Sequence, residues 1–215
     1  MKKGVLFDLD GTIINSSLDL ASAINAMRAH FGCAPLAIET VVSFIGNGTV
    51  SLVGKSIADT DIDFDEAMKI NREKYSQALT IHTSFYSGTL ELLKFLHQEN
   101  VPVAITSNKP TDWCVTIAKD LGFSSYVSVI YGASSAYALK PEADMLRLAA
   151  KEMNISLSDS VMIGDNWTDI DSGLAAGCQT AYFEHGLGDV KENQPNFRYS
   201  EVADLKQWLV EKLGL

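Results

Sequence analysis

Two acidic segments follow short apolar runs near the two ends of the sequence. Asp8 and Asp10 lie in DLDGT directly after GVLF, and Asp165 lies in GDNWTD after VMI, with Asp169 four residues later. Strand alternation places Asp8 and Asp10 on one side, where their like charges repel unless a cation lies nearby. Carboxylates are the ligands that a hard cation such as Mg²⁺ prefers. Each segment alone is also typical of simpler structure, because Asp10-Gly11 favours a turn and Asp169 is equally a helix cap.

A hydroxyl and an ammonium group occupy similar places further along the chain. Ser107 lies in ITSNKP and Lys140 lies in LKPE, and each segment precedes a predicted helix. Backbone N–H groups and a hydroxyl at such a place can hold phosphate oxygens. Taken singly, these segments are more typical of a capped helix and a solvated lysine. Together with the carboxylates they supply what phosphoryl transfer requires, which is a bound cation and donors for anionic oxygens.

The elements that position these residues are predicted from apolar patterning. Continuous runs typical of strands buried on both faces lie at residues 4–7, 101–106, 127–131, 161–163 and 180–183. Helical spacing lies between them, at Leu92, Phe95 and Leu96, at Trp113, Ile117 and Leu121, and at Leu205, Leu209 and Leu213. Pro110-Thr111 and Lys140-Pro141 predict helix starts, and Gly122 and Gly177 predict left-handed helix ends. This alternation predicts a parallel sheet with helices on both faces, whose strands bring Asp8, Asp10, Ser107, Lys140 and Asp165 to one edge.

One region, at about residues 15–85, breaks the alternation. It has helical periodicity, including the stripe Leu20, Ile24, Met27 and Phe31 between Ser16 and Gly32, and only one doubtful strand-like run, at residues 41–45. We therefore interpret residues 15–85 as an inserted, mainly helical cap, with residues 1–14 and 86–215 as the core.

Composition narrows the possible partners. The net charge of −10 over 215 residues argues against a nucleic-acid or anionic-membrane partner, since no segment supplies a basic cluster. Three widely spaced cysteines fit neither a disulfide framework nor a zinc site. The first apolar run meets a carboxylate at Asp8, too early for a signal peptide, and no run is long enough to span a membrane. We expect a cytoplasmic protein, a monomer or dimer, that acts on a small phosphorylated metabolite.

The motifs DLDGT, ITSNK, LKPE and GDNWTD, in this order, resemble those of the haloacid dehalogenase superfamily over essentially the whole chain. The resemblance implies an α/β fold with a Rossmann-like core, and a Mg²⁺-dependent phosphatase that forms an aspartyl-phosphate. It makes Asp8 the nucleophile and a Mg²⁺ ligand, and Asp10 the general acid/base that also offers its backbone carbonyl to the metal. Asp165 is then the third protein ligand, and Asp169 supports the metal shell. Phosphate binding is implied for Gly11, Thr12, Ser107, Asn108 and Lys140.

Within the superfamily the chain looks most like phosphoglycolate phosphatases, from TIINS at residues 12–16, FIGNG at residues 44–48 and SNKP at residues 107–110. The resemblance implies that Gly46, Asn47 and Gly48 reach over the substrate's non-phosphate end, although an ordinary glycine-rich turn fits these residues equally well. Two departures, YSG at residues 86–88 for Tyr-Pro-Gly and KPEA at residues 140–143 for Lys-Pro-x-Pro, leave pyrophosphate, a nucleoside monophosphate or a sugar phosphate open as substrates.

Two other functions are possible on the same residues. Phosphosugar mutases of the superfamily share the cap and motifs but usually carry Glu-Asp where this chain has Gly164-Asp165, which favours hydrolysis. Bacterial receiver domains, which are phosphorylation-gated binding modules, also combine carboxylates, a hydroxyl and a lysine on a parallel sheet. They need no cap, however, and a long segment separates the first two motifs here. Release of phosphate, formation of an isomerised sugar phosphate, or a stable phospho-Asp8 without turnover would distinguish the three.

Overall fold

The computed structural model describes residues 2–215. Its strands are β1 (Val5–Phe7), β2 (Ile14–Asn15), β3 (Ser84–Phe85), β4 (Val103–Pro110), β5 (Val129–Ala133), β6 (Val161–Gly164), β7 (Gln179–Phe183) and β8 (Phe197–Tyr199). Its helices are α1 (Ser17–His30), α2 (Ile38–Val42), α3 (Gly48–Ser56), α4 (Phe64–Ser76), α5 (Thr89–Gln98), α6 (Thr111–Asp120), α7 (Asp144–Met153), α8 (Trp167–Ala176) and α9 (Val202–Leu213). The larger sheet is parallel throughout, in the order β5-β4-β1-β6-β7-β8.

The centre of this sheet is β1, which is fully buried because helices cover both of its faces. Phe7 lies beside Ile105 of β4 on one side and Ile163 of β6 on the other. Val5 and Phe7 pack into the cluster that α5, α6 and α9 help to form, whereas Leu6 packs into the cluster on the opposite face, beneath α7. The predicted α/β fold with helices on both faces of a parallel sheet is therefore confirmed.

Most predicted elements lie within a few residues of their observed bounds. The five apolar runs become β1, β4, β5, β6 and β7, and α6 begins at Thr111 as expected. Gly122 and Gly177 have φ of 74° and 80°, the left-handed conformation predicted for them. The start predicted at Lys140-Pro141 is wrong, because α7 begins only at Asp144, after a turn. The edge strand β8 was missed, since its three residues include the exposed Arg198 and form no apolar run.

Residues 17–76, between β2 and β3, are called the helical segment below. It contains α1 to α4, and the short antiparallel pair of β2 and β3 brings its two ends together, with Ile14 opposite Phe85. The strand suggested by the apolar run at residues 41–45 is wrong. Residues up to 42 belong to α2, and residues 43–45 form a turn. Val41 is fully buried in the core, and no strand within residues 2–215 pairs with the run. Burial of a helix face therefore explains the apolar pattern.

Within residues 2–215, none of the helices combines the length and the apolar character needed to cross a bilayer. Cys114 and Cys178 are buried free thiols, while Cys33 is half-exposed.

Candidate active site

The carboxyl ends of the central strands line one cavity of about 40 Å³. Asp8 follows β1 directly, and its N–H donates to the Ile163 carbonyl at 2.8 Å, which extends the sheet pairing to this residue. Ser107 lies in the second half of β4, and Lys140 lies in the turn before α7. The structure thus brings Asp8, Asp10, Ser107, Asn108 and Lys140 to the wall of the same cavity.

Three buried carboxylates form a cluster at this edge of the sheet. One oxygen each from Asp8, Asp165 and Asp169 lies within 4.8 Å of the other two. Burial raises the pKa of Asp165, and the charges of Asp169 and Asp8 raise it further. Burial also raises the pKa of Asp169, although Lys140 opposes this shift. Three carboxylates at this distance repel one another, so the cluster favours a bound cation.

Asp165 is held in place by donors from three directions. Thr12 Oγ1 donates to Asp165 Oδ1 at 2.8 Å, and the N–H groups of Leu187 and Gly188 donate to Oδ2 at 2.8 and 2.9 Å. A Cβ on Gly11 would lie only 2.0 Å from Oδ2, so the turn after Asp10 leaves no room for another side chain. Gly11 N–H donates to the Ile14 carbonyl at 2.8 Å. In this conformation both Gly11 N–H and the Thr12 hydroxyl, predicted to bind phosphate, have partners within the protein.

Lys140 is the cation nearest to the carboxylate cluster. Its Nζ lies 2.6 Å from Asp169 Oδ1 and 2.8 Å from Asp8 Oδ1. Burial lowers the pKa of Lys140, but Asp169 and Asp8 outweigh this and raise the pKa overall, so the ammonium stays charged. Asp8 Oδ1 is therefore ion-paired with Lys140, although their geometry does not align a hydrogen bond between them.

Asn108 fixes the loop that carries Lys140. Its Oδ1 accepts from Lys140 N–H at 2.9 Å, and its Nδ2 donates to the Lys140 carbonyl at 2.9 Å. The Asn108 side chain is predicted to bind phosphate, but in this structure both ends of its amide are hydrogen-bonded to the backbone of Lys140. Asp169 also has two roles here, since its Oδ2 accepts from Asn166 N–H at 2.9 Å in a capping box at the start of α8 while its Oδ1 binds Lys140.

A second buried lysine, Lys109, which was not among the predicted site residues, holds Asp10. Lys109 Nζ donates to Asp10 Oδ1 at 2.6 Å and to the Tyr75 hydroxyl at 2.6 Å. Burial lowers the pKa of Lys109, but the charge of Asp10 and the contact with Tyr75 raise it overall. Ser16 also donates to Asp10 Oδ1. The only signal was the position of Lys109 within ITSNKP, because its partner Tyr75 belongs to the distant helix α4.

The glycine-rich loop of the helical segment contacts the core beside the cavity. The Gly46 carbonyl accepts from Asn108 Nδ2 at 3.2 Å, and a Cβ on Gly46, whose φ is 107°, would lie 2.2 Å from Asn166 Nδ2. Gly46 and Gly48 line the cavity, whereas Asn47 lines a neighbouring one. Of the three loop residues predicted to reach the substrate, the structure therefore brings two to the site.

Comparisons with known proteins identify similar sequences and a similar fold. Residues 5–183 match the family model described as haloacid dehalogenase-like hydrolase. The chain is 32% identical to a phosphoglycolate phosphatase of Chromobacterium violaceum, over 94% of each chain. It is 33% identical to one of Neisseria meningitidis, over 87% of this chain and 83% of the relative. It is similar in fold to the solved structure of a predicted phosphoglycolate phosphatase from Haemophilus somnus, with a TM-score of 0.91 at 23% identity, over 96% of this chain and 97% of the other.

Proposed function

The chain belongs to the haloacid dehalogenase-like hydrolase family, and we propose that it hydrolyses a small phosphate monoester through an aspartyl-phosphate on Asp8. Relatives that share about a third of its residues are named phosphoglycolate phosphatases, which supports a phosphatase of that kind. One observation carries the mechanism: Asp8 lies buried at the carboxyl end of β1, beside Lys140 and within a cluster of carboxylates, in a cavity that Ser107 also lines.

In the proposed reaction, an Asp8 carboxylate oxygen attacks phosphorus, so that a bond forms from Asp8 to phosphorus as the bond to the leaving oxygen breaks. The Ser107 hydroxyl and the Lys140 ammonium bind the phosphoryl oxygens and offset their charge. Asp10, held by Lys109 and Ser16, protonates the leaving oxygen and then takes a proton from the water that cleaves the aspartyl-phosphate.

The acidic residues fit a Mg²⁺ ion, because one oxygen from each of three buried carboxylates lies within 4.8 Å of the other two. Asp8, Asp165 and the backbone carbonyl of Asp10 would hold it, with Asp169 beside them. Bound Mg²⁺ would supply positive charge that offsets the repulsion between the anionic nucleophile and the anionic substrate.

We further propose that residues 15–85 form a cap over a core of residues 1–14 and 86–215. Several contacts join the two: Lys109 to Tyr75, Asn108 to Gly46, and Trp113 Nε1 to Ser76 Oγ at 2.9 Å. Residues of both parts line the cavity, with Leu20, Thr49 and Leu52 on the cap side. The relatives named phosphoglycolate phosphatases favour 2-phosphoglycolate over a nucleoside monophosphate or a sugar phosphate as the substrate. We expect the enzyme to act on a soluble metabolite in the cytoplasm, as a monomer or dimer.

A phosphate-release screen tests the proposal. Candidate substrates are 2-phosphoglycolate, pyrophosphate, a nucleoside monophosphate and a sugar phosphate, each with and without Mg²⁺. We expect Mg²⁺-dependent release, fastest from 2-phosphoglycolate, and a loss of at least about a thousandfold in kcat for Asp8→Asn. Asp120→Asn, an exposed carboxylate at the end of α6, is the matched control and should keep full activity. An active Asp8→Asn variant, or no release from any monoester, would refute the proposal.

A further inference from the structure

Asn71 of α4 is a buried polar residue whose side chain has no hydrogen-bond partner within residues 2–215. It is 3% exposed and lines the same cavity as Asp8 and Lys140. Among residues 2–215 its amide makes no hydrogen bond, in contrast to Asn25 of α1, whose amide binds the backbone of Leu36 at 2.9 and 2.8 Å. Its amide atoms are not enclosed by protein, so the amide faces the space of the cavity. The amide therefore fits a group that enters the cavity from outside.

The position of Asn71 relative to Asp10 indicates which end of a substrate it would meet. Lys109 joins Asp10 to Tyr75, and Tyr75 lies four residues after Asn71, on the same face of α4. Asp10 is the group proposed to protonate the leaving oxygen. The wall formed by Lys109, Tyr75 and Asn71 then lies along the leaving group, whereas Lys140 lies on the phosphoryl side with Asp8.

The hydrogen-bond donors on this wall favour an anionic group that accepts hydrogen bonds. The other side chains that the helical segment contributes include the apolar Leu20 and Leu52 and the hydroxyl residue Thr49. An ammonium has three donors, and Lys109 uses two of them on Asp10 and Tyr75, which leaves one. The Asn71 amide can supply another.

We infer that Asn71 and Lys109 form a subsite for the carboxylate of a short hydroxy-acid leaving group. The inference rests on the proposed phosphatase function and assigns the groups that select its substrate. It predicts that the enzyme prefers a phosphorylated hydroxy acid to an alkyl phosphate of equal length.

The test compares kcat/KM for 2-phosphoglycolate with kcat/KM for n-propyl phosphate, which lacks the carboxylate but is of similar length. Asn71→Leu should lower the ratio of the two values by about 10- to 150-fold, as expected for loss of a hydrogen bond to a charged group. Asn71→Asp should lower the ratio further, because it opposes the substrate's carboxylate with a like charge, while n-propyl phosphate is still hydrolysed.

A stability readout separates this role from a structural one. Asn71→Leu should leave Tm unchanged or raise it, since it removes an amide that makes no hydrogen bond within residues 2–215. Asn25→Leu, the matched control, should lower Tm because it breaks two backbone contacts, and should leave the ratio unchanged.

Each remaining outcome is decisive. A ratio that stays at the wild-type value in both Asn71 variants, or a wild-type enzyme that hydrolyses both substrates equally well, would overturn the subsite and leave the phosphatase proposal standing. Phosphate release from neither substrate would overturn both.

Discussion

The contact between Lys109 and Tyr75 connects the helical segment to the acid/base residue, and Tyr75→Phe tests it. The substitution removes only the hydroxyl, and the ring that packs edge-on against Trp113 at 4.9 Å remains. Lys109 is buried, and in the described chain its ammonium has Asp10 and Tyr75 as its hydrogen-bond partners. Without the hydroxyl, one donor of a buried cation is unsatisfied, and Asp10 is held by a less constrained lysine.

The expected loss of stability in Tyr75→Phe follows from these contacts. A hydrogen bond to a charged group contributes about 1.5–3 kcal/mol, and for a chain of this length each kcal/mol shifts Tm by about 2–4 °C. Tyr75→Phe should therefore lower Tm by about 3–12 °C. It should also lower kcat by about tenfold, with KM changed less than about twofold, because a displaced Asp10 affects proton transfer more than binding.

Differential scanning fluorimetry and steady-state kinetics measure both effects. Tyr131→Phe is the matched control, since its hydroxyl donates to Glu152 at an exposed site and its loss should change stability by less than about 0.5 kcal/mol. If Tyr75→Phe retains wild-type Tm and kcat, the contact between Lys109 and Tyr75 does not hold Asp10 in place.

Three further perturbations bear on the carboxylate cluster. Lys140→Met removes the buried cation from three carboxylates and should lower the free energy of unfolding of the metal-free protein by about 3–5 kcal/mol. Urea denaturation measures this change, and an unchanged midpoint would contradict the expectation. Gly186→Ala places a Cβ 2.1 Å from Asp165 Cβ and so displaces Asp165. It should raise the Mg²⁺ concentration for half-maximal activity by about tenfold or more. Gly54→Ala is the control and should leave this concentration unchanged, because its Cβ would have 3.7 Å of clearance. The pKa values of Asp165 and Asp169 are raised in the folded state, so their contribution to stability is present below the ordinary carboxyl pKa and is lost as pH rises through the raised values. Mg²⁺ binds the ionised carboxylates and should raise Tm more at about pH 8 than at about pH 5.5, and an equal rise at both would count against the cluster as its site.

The sequence predicted the core and its acidic edge because both are encoded locally. An apolar run that stops at a polar residue marks the end of a buried strand, and parallel topology brings these ends together, so Asp8, Ser107 and Asp165 could be placed without coordinates. Asp169 shows the limit of this logic: the sequence offered a helix cap or a site residue as alternatives, and in the structure it caps α8 with one oxygen while the other binds Lys140.

The features that the sequence did not predict depend on how the helical segment packs on the core. Asn71 lies in a polar helix with no motif around it, and Lys109 acquires its role only because Tyr75 reaches it from α4. The run at residues 41–45 was misassigned for a related reason, since a short apolar run does not distinguish a buried helix face from a strand until its neighbours are known.

The most direct test of the central claim is to find which atom carries phosphate during turnover. The enzyme is mixed with radiolabelled 2-phosphoglycolate and Mg²⁺, quenched in acid within one turnover, and digested for peptide mapping. The proposed mechanism predicts label on the peptide that contains Asp8, its release by hydroxylamine, and no label in Asp8→Asn. Phosphate released with no labelled protein at any time, or label that persists in Asp8→Asn, would contradict it.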